Sequence, residues 1–166
     1  MPIDTKISAS TYQNFDGSNF TTAGVECGIN LNKSKLSTYC GLGTNLINGS
    51  TGAIIDFKGS MPYGNSNLSG SFRIRNNLNH NSKSVQFRVQ PANVNIPINN
   101  NTSFYADPYV AFKTDNHNNK SSTTGIFSGI STKINKTSIF VEGQLYDITK
   151  INSNTIGINA GISIPL

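Results

Sequence analysis

The chain holds no tryptophan, two cysteines, two histidines and little charge: Asp, Glu, Lys and Arg make up 13% of its 166 residues, about half the usual share. Each scarcity closes a class. Charge this sparse, beside abundant Asn, Ser, Thr and Gly, excludes coiled coils and long charged helices. No apolar run approaches the ~18 residues of a membrane helix. The opening Met1-Pro2-Ile3-Asp4-Thr5-Lys6 has no stretch resembling a secretion signal, which reads as a cytosolic product or a mature form. The 13 Lys and Arg give a net charge of +5 but are scattered, which argues against a nucleic-acid partner. Neither Cys27 nor Cys40 has a His nearby in sequence or a metal-ligand spacing, so zinc and nucleophile readings are poor. His80 and His117 lie in Asn-rich segments with no third ligand evident, and read as solvated loop residues. Gly41-Leu42-Gly43 lacks a third glycine and a following helix, and reads as room for a neighbouring side chain instead of a phosphate loop. No cofactor, metal or catalytic residue is called for.

What the chain does have is period-two alternation. From Ile156 the even positions read Ile156, Ile158, Ala160, Ile162, Ile164 and Leu166, and the odd ones Gly157, Asn159, Gly161, Ser163 and Pro165. Residues 22–31, 35–46, 53–61, 68–75, 85–90, 104–113, 126–134 and 139–146 repeat the rule, with a weaker first strand near 5–13. The pattern predicts an all-β chain of about ten strands (8 to 12), no substantial helix, and one domain over residues 1–166. The charges sort with it. Lys6, Glu26, Lys35, Asp56, Lys58, Arg73, Arg75, Arg88, Asp107, Lys113, Lys133 and Glu142 fall on polar faces, and the rest in turns or at strand ends, leaving none for the apolar faces.

Asn-rich tetrapeptides mark the hairpins, because Asn and Gly tolerate positive φ. With Lys33 and Ser34 as the loop, Leu31 faces Leu36 and Cys27 falls opposite Cys40. That register admits either a cross-strand disulfide or two packed thiols. Asn48-Gly49-Ser50-Thr51 closes the next hairpin with a tight turn. Residues 62–67 bring Phe57 opposite Phe72, and Asn135-Lys136-Thr137-Ser138 sets Ile134 against Ile139. Pro91 and Pro97 leave the end of the sixth strand open.

A binary pattern of this kind fits two opposite structures, a soluble sandwich or barrel with its apolar face inward and a membrane barrel with that face outward. Apolar stripes of about nine to eleven residues match the span of a tilted strand across a bilayer. The polar face is rich in Gly, Ser, Asn and Tyr with opposite charges interspersed, as suits a crowded lumen. The connections at 14–18, 77–82, 114–121 and 148–153 are the longer ones and share one rim, while two-residue turns and both termini share the other.

Here the chain resembles the outer-membrane β-barrels of bacteria, small porin-like barrels among them. Asn159-Ala160-Gly161-Ile162-Ser163-Ile164-Pro165-Leu166 is similar to their closing-strand assembly signal, with Asn159, Gly161, Ile164 and Leu166 at its marked positions and Leu166 where the bacterial version usually ends in an aromatic residue. The resemblance implies a closed antiparallel up-and-down barrel in the outer membrane, with membrane lipid and the barrel-assembly machinery as partners, and leaves the oligomeric state open. It implies a narrow pore, a membrane anchor or a surface-loop scaffold, not an enzyme. Glu26, Asp56, Lys58, Arg73, Arg75, Arg88, Asp107, Lys113 and Glu142 would then form a charge network in the lumen. The eight basic and four acidic polar-face residues predict mild anion preference in any channel. Two other readings stand beside it. One is a soluble all-β structural or adhesive protein, extracellular or on a virion surface. The other is a lipocalin-like barrel with Phe57, Phe72, Phe87 and Phe112 lining an apolar cavity.

Overall fold

The computed structural model describes residues 3–14, 19–64, 66–79, 82–149 and 155–166. Eleven strands run through them: β1 (Ile3–Asn14), β2 (Asn19–Leu31), β3 (Ser34–Thr44), β4 (Thr51–Tyr63), β5 (Ser66–Asn77), β6 (Ser82–Gln90), β7 (Val94–Pro97), β8 (Thr102–Asp115), β9 (Lys120–Ile134), β10 (Thr137–Leu145) and β11 (Ile156–Pro165). All pairings are antiparallel, and the contacts of β1 with β11 and of β6 with β8 close the sheet on itself. β6 lies along Val110–Asp115 of β8 and β7 along Ser103–Ala106 of the same edge. Together they form one interrupted stave in a barrel of ten. The interruption begins at Pro91, which has no N–H for the ladder. Asn93 bridges it: its backbone N–H donates to Ser66 Oγ at 2.9 Å, and its Oδ1 accepts from Ser69 Oγ at 2.9 Å.

The apolar stripes face outward. Val25, Ile55, Phe57, Phe72, Phe87, Phe112, Ile130, Val141 and Ile158 are all exposed, whereas Asp56 and Tyr109 on the opposite faces are 1% exposed. This is the reverse of a soluble protein and the arrangement of a transmembrane barrel. The lipocalin-like reading fails on the same observation. Phe57, Phe72, Phe87 and Phe112 are successive cross-strand partners on β4, β5, β6 and β8, and they form an aromatic ladder on the outside instead of a cavity lining.

Two lysines depart from the expected sorting. Lys83 and Lys120 fall within β6 and β9, with the same parity as Val85 and Ser122, so they belong to the outer face. Both sit at the extreme strand end nearest the long loops, where a long side chain can carry its ammonium to the polar boundary.

Two registers differ from expectation by two residues. Ile29 pairs with Leu36 and Leu31 with Ser34; Ile134 pairs with Thr137 and Ile139 with Thr132. The loops are Asn32-Lys33 and Asn135-Lys136, because Asn32 (φ 55°) and Asn135 (φ 56°) take the left-handed conformation at the first loop position. A shift of two preserves every face while changing every partner. Cys27 therefore stands opposite Thr38 and Cys40 opposite Val25, and both are free, exposed thiols. The Phe57–Phe72 pairing is as expected.

The rims are unequal. At one end only two residues separate β2 from β3, β4 from β5 and β9 from β10, and four separate β7 from β8. At the other end the strands are separated by four residues (β1 to β2), six (β3 to β4), four (β5 to β6), four (β8 to β9) and ten (β10 to β11). The connection at 45–50, expected as a tight turn, is six residues long and obeys the same asymmetry. It is held by Asn45, whose Oδ1 accepts the N–H groups of Ile47 and Asn48 at 2.9 and 3.2 Å. Asn77 and Asn99 cap neighbouring backbone N–H groups in the same way, which gives the high Asn content a local physical use.

Several glycines on the inner face lie beneath aromatic rings. A Cβ added to Gly125 would meet Tyr109 Cζ at 2.6 Å, one on Gly161 would meet Phe140 Cζ at 2.6 Å, and one on Gly157 would meet Tyr12 Cζ at 2.7 Å. Gly41 makes room for Tyr39 and Gly43 for Phe20 in the same sense. Each ring takes the space that a neighbouring side chain would have filled, so a narrow barrel can hold large side chains.

Candidate functional site

Alternation places every second side chain inside, and the registers decide which of them become neighbours. Lys6, Glu26, Tyr39, Asp56, Arg73, Gln86, Lys113 and Ser121 are successive cross-strand partners on β1, β2, β3, β4, β5, β6, β8 and β9. One row of mostly charged or hydrogen-bonding groups thus follows the lumen wall across eight of the ten staves.

Along the row, charges pair where opposite signs meet. Asp56 accepts from Arg73 through Oδ2, at 3.1 Å from Nε and in a closer contact from Nη2. Glu26 Oε2 takes both Lys6 and Lys58 at 3.4 Å, Lys58 reaching it diagonally from β4. At the short-turn rim Lys35 lies 3.7 Å from Asp4, which also accepts from Asn30 Nδ2 at 3.1 Å. These are the four ion pairs among the described residues. Such pairs organise the lumen more than they stabilise it, since desolvation offsets much of their attraction.

Glu142 is held by neutral donors: Tyr105 Oη and Asn159 Nδ2, both at 2.8 Å, with Gln144 Nε2 beside them. Asp107 bonds the side chain of Asn93, at the interruption of the β6–β7 stave. Arg88 meets no carboxylate within 4.0 Å among the described residues; its guanidinium lies 4.6 Å from the ring centroids of both Tyr109 and Phe127. Those two rings stack at 4.6 Å and 18°. A cation this close to aromatic rings is attracted by their quadrupoles, and Tyr109 and Phe127 are both buried on the inner face.

The nine network residues expected from sequence therefore share one interior but divide into three groups. Glu26, Lys58, Asp56 and Arg73 are ion-paired. Glu142 and Asp107 are hydrogen-bonded by neutral partners. Arg75, Arg88 and Lys113 form no ion pair among the described residues. Arg75 has the ring of Phe20 at 5.9 Å.

Sequence reading passed over the inner-face aromatics as functional packing. The available signal was a Tyr or Phe on one polar stripe with a Gly on the next, at Tyr12 with Gly157 and Tyr109 with Gly125. His117 lies in the loop after β8, its N–H bonded to Asp115 Oδ1 at 2.9 Å, and His80 lies outside the described residues. No three His, Cys, Asp or Glu side chains converge as metal ligands would among the described residues. On the closing strand β11, Asn159 and Gly161 point inward against Glu142 and Phe140, and Ile164 points outward. The Leu166 N–H donates to Thr5 C=O at 2.8 Å.

No family model matches the chain, and no curated protein matches it in sequence. Among solved structures it is similar to a loop-L8 deletion form of OmpT, an outer membrane protein of Vibrio cholerae, at 11% identity and a TM-score of 0.44, over 89% of this chain and 54% of that one. The in-vitro folded trimer form of that protein matches at 10% identity and 0.43, over 96% and 64%. The β domain of the Bordetella autotransporter BrkA matches at 8% identity and 0.36, over 98% of each chain. The chain thus spans little more than half the length of the OmpT structures it matches. Closed, antiparallel, apolar outside and charged within, it has the fold of an outer-membrane β-barrel.

Proposed function

We propose that the chain resides in the outer membrane as a barrel that anchors the long loops of one rim, conducts at most through a narrow, anion-preferring path, and carries out no catalysis. Membrane lipid is its surroundings and the barrel-assembly machinery its route of insertion. The observation that carries this reading is the division of single strands into an exposed Ile, Val and Phe face and an inner face holding buried Asp56, Glu26 and Tyr109. A ten-stranded barrel has little interior beyond its own side chains, and large ones such as Arg88, Tyr109 and Phe127 point into it here. That supports a scaffold with a restricted path over a general porin. The cations left without carboxylates support the anion preference.

Two measurements test the reading. The chain is expected to need detergent or lipid to remain monomeric, and a stable monomer in plain buffer would refute membrane residence. In planar bilayers the expected result is either no current or small anion-selective steps. Large unselective steps or cation selectivity would refute the proposed path.

A further inference from the structure

The cations that the ion-pair network leaves over are not spread evenly. Register sets Arg73, Gln86 and Lys113 side by side on β5, β6 and β8, and Arg75 beside Ser84 one step nearer the long-loop rim. These five residues line a partly open pocket of about 70 Å³. Of its three cations, Arg73 alone has a carboxylate within 4.0 Å, that of Asp56, among the described residues. On the rim side, Asp115 is the cross-strand partner of Ser84. Its carboxylate is already engaged by Asn119 Nδ2 at 2.9 Å and by the N–H groups of His117 and Asn119 at 2.9 and 3.0 Å. The pocket therefore holds a surplus of positive charge with two neutral hydrogen-bonding groups beside it.

We propose that Arg73, Arg75 and Lys113, with Ser84 and Gln86, form a binding site for a small tetrahedral oxyanion, phosphate or sulfate, just inside the long-loop rim. The volume sets the size of the ligand. It exceeds the ~10–15 Å³ of cavity that a single water needs, and is well below the 300–1,000 Å³ of sites for organic ligands. The chemistry sets the class. Guanidinium groups present paired N–H donors that match the oxygens of an oxyanion, while Ser84 Oγ and Gln86 Nε2 can donate to oxygens that the cations do not reach. An anion here also offsets the repulsion among three like charges held together by the strands. The site rests on the proposed reading of a membrane barrel with a polar inner face but not on conduction.

The test is calorimetric titration of the full 166-residue chain, refolded in neutral detergent at low ionic strength, with inorganic phosphate. Saturable binding near one phosphate per barrel is expected, with displacement by sulfate and little by chloride. R75Q/K113Q should weaken it by about tenfold or more, the loss expected for charge-assisted contacts. R75K/K113R, which keeps both charges, should stay within about threefold of the native chain. K35Q/K133Q removes two lumenal cations at the other rim and should leave binding unchanged. Phosphate should also protect Arg75 of the unaltered protein from phenylglyoxal, a readout independent of any variant's folding. Absence of saturable binding, absence of that protection, or an equal loss in K35Q/K133Q would overturn the site. A barrel that binds phosphate yet shows cation-selective steps keeps the site and loses only the path.

Discussion

Ile55 and Asp56 are chain neighbours on β4 with opposite surroundings: Ile55 is 39% exposed on the outer face, and Asp56 is 1% exposed in the lumen, held by Arg73. Phe72 and Arg73 on β5, and Phe87 and Arg88 on β6, repeat the contrast. The outer face needs little beyond apolarity, so neighbours there are interchangeable. The inner face depends on specific partners, because most charges and rings there meet an opposite charge, a hydrogen-bonding group, an aromatic ring or the space above a glycine.

The largest effect expected from breaking that contrast comes from the lumen. Arg73→Ala strands the buried Asp56 carboxylate and should cost about 3 kcal/mol in urea unfolding. The double variant with Asp56→Ala should recover much of it, and a single variant as mild as the double would refute the pairing. Next comes charge on the outer face. Ile55→Lys, well inside β4, should cost about 2–4 kcal/mol in lipid vesicles, and Ile3→Lys at the rim about 1 kcal/mol or less. Equal costs at the two depths would mean that this face does not meet lipid.

Smaller again is the contrast between glycines. Gly157→Ala drives a methyl into the ring of Tyr12, to which all its nearest atoms belong, and should cost about 1–3 kcal/mol. Gly143→Ala faces outward, with Ser128 O at 3.9 Å its nearest contact, and should stay within about 0.5 kcal/mol. Thermal unfolding of the pair, followed by circular dichroism, decides whether the ring-over-glycine packing is required. The smallest effect concerns the thiols. A mild oxidant should leave Cys27 and Cys40 unbridged and the melting temperature unchanged, with both taking a lipid-soluble maleimide. Intramolecular bridging would show the β2–β3 register to be wrong.

Much of this was legible because alternation is local. Strand number, the sorting of twelve charges to one face and the unequal rims all follow from counting residues between turn signals. The misreadings were local too. Asn-Lys loops were placed one residue late because the sequence does not mark which of two adjacent polar residues turns left-handed, and the register then slipped by two. Nor could strand membership alone show that Lys83 and Lys120 lie outward, since a terminal charge reads equally as turn. The anion pocket was least visible, because Arg73, Arg75 and Lys113 come from strands far apart in sequence and only the β5–β6–β8 pairing brings them together.

By itself the sequence determined that the strands would have one greasy and one polar face, and that residues of like character would line up. It could favour a membrane orientation but not decide it, because a period-two pattern is unchanged when a sheet curls one way or the other. Closure through β1–β11 and β6–β8 decided which face became the exterior. Closure also joined charges from eight staves into one row, because the register around a closed sheet is a property of the whole ring and of no single strand.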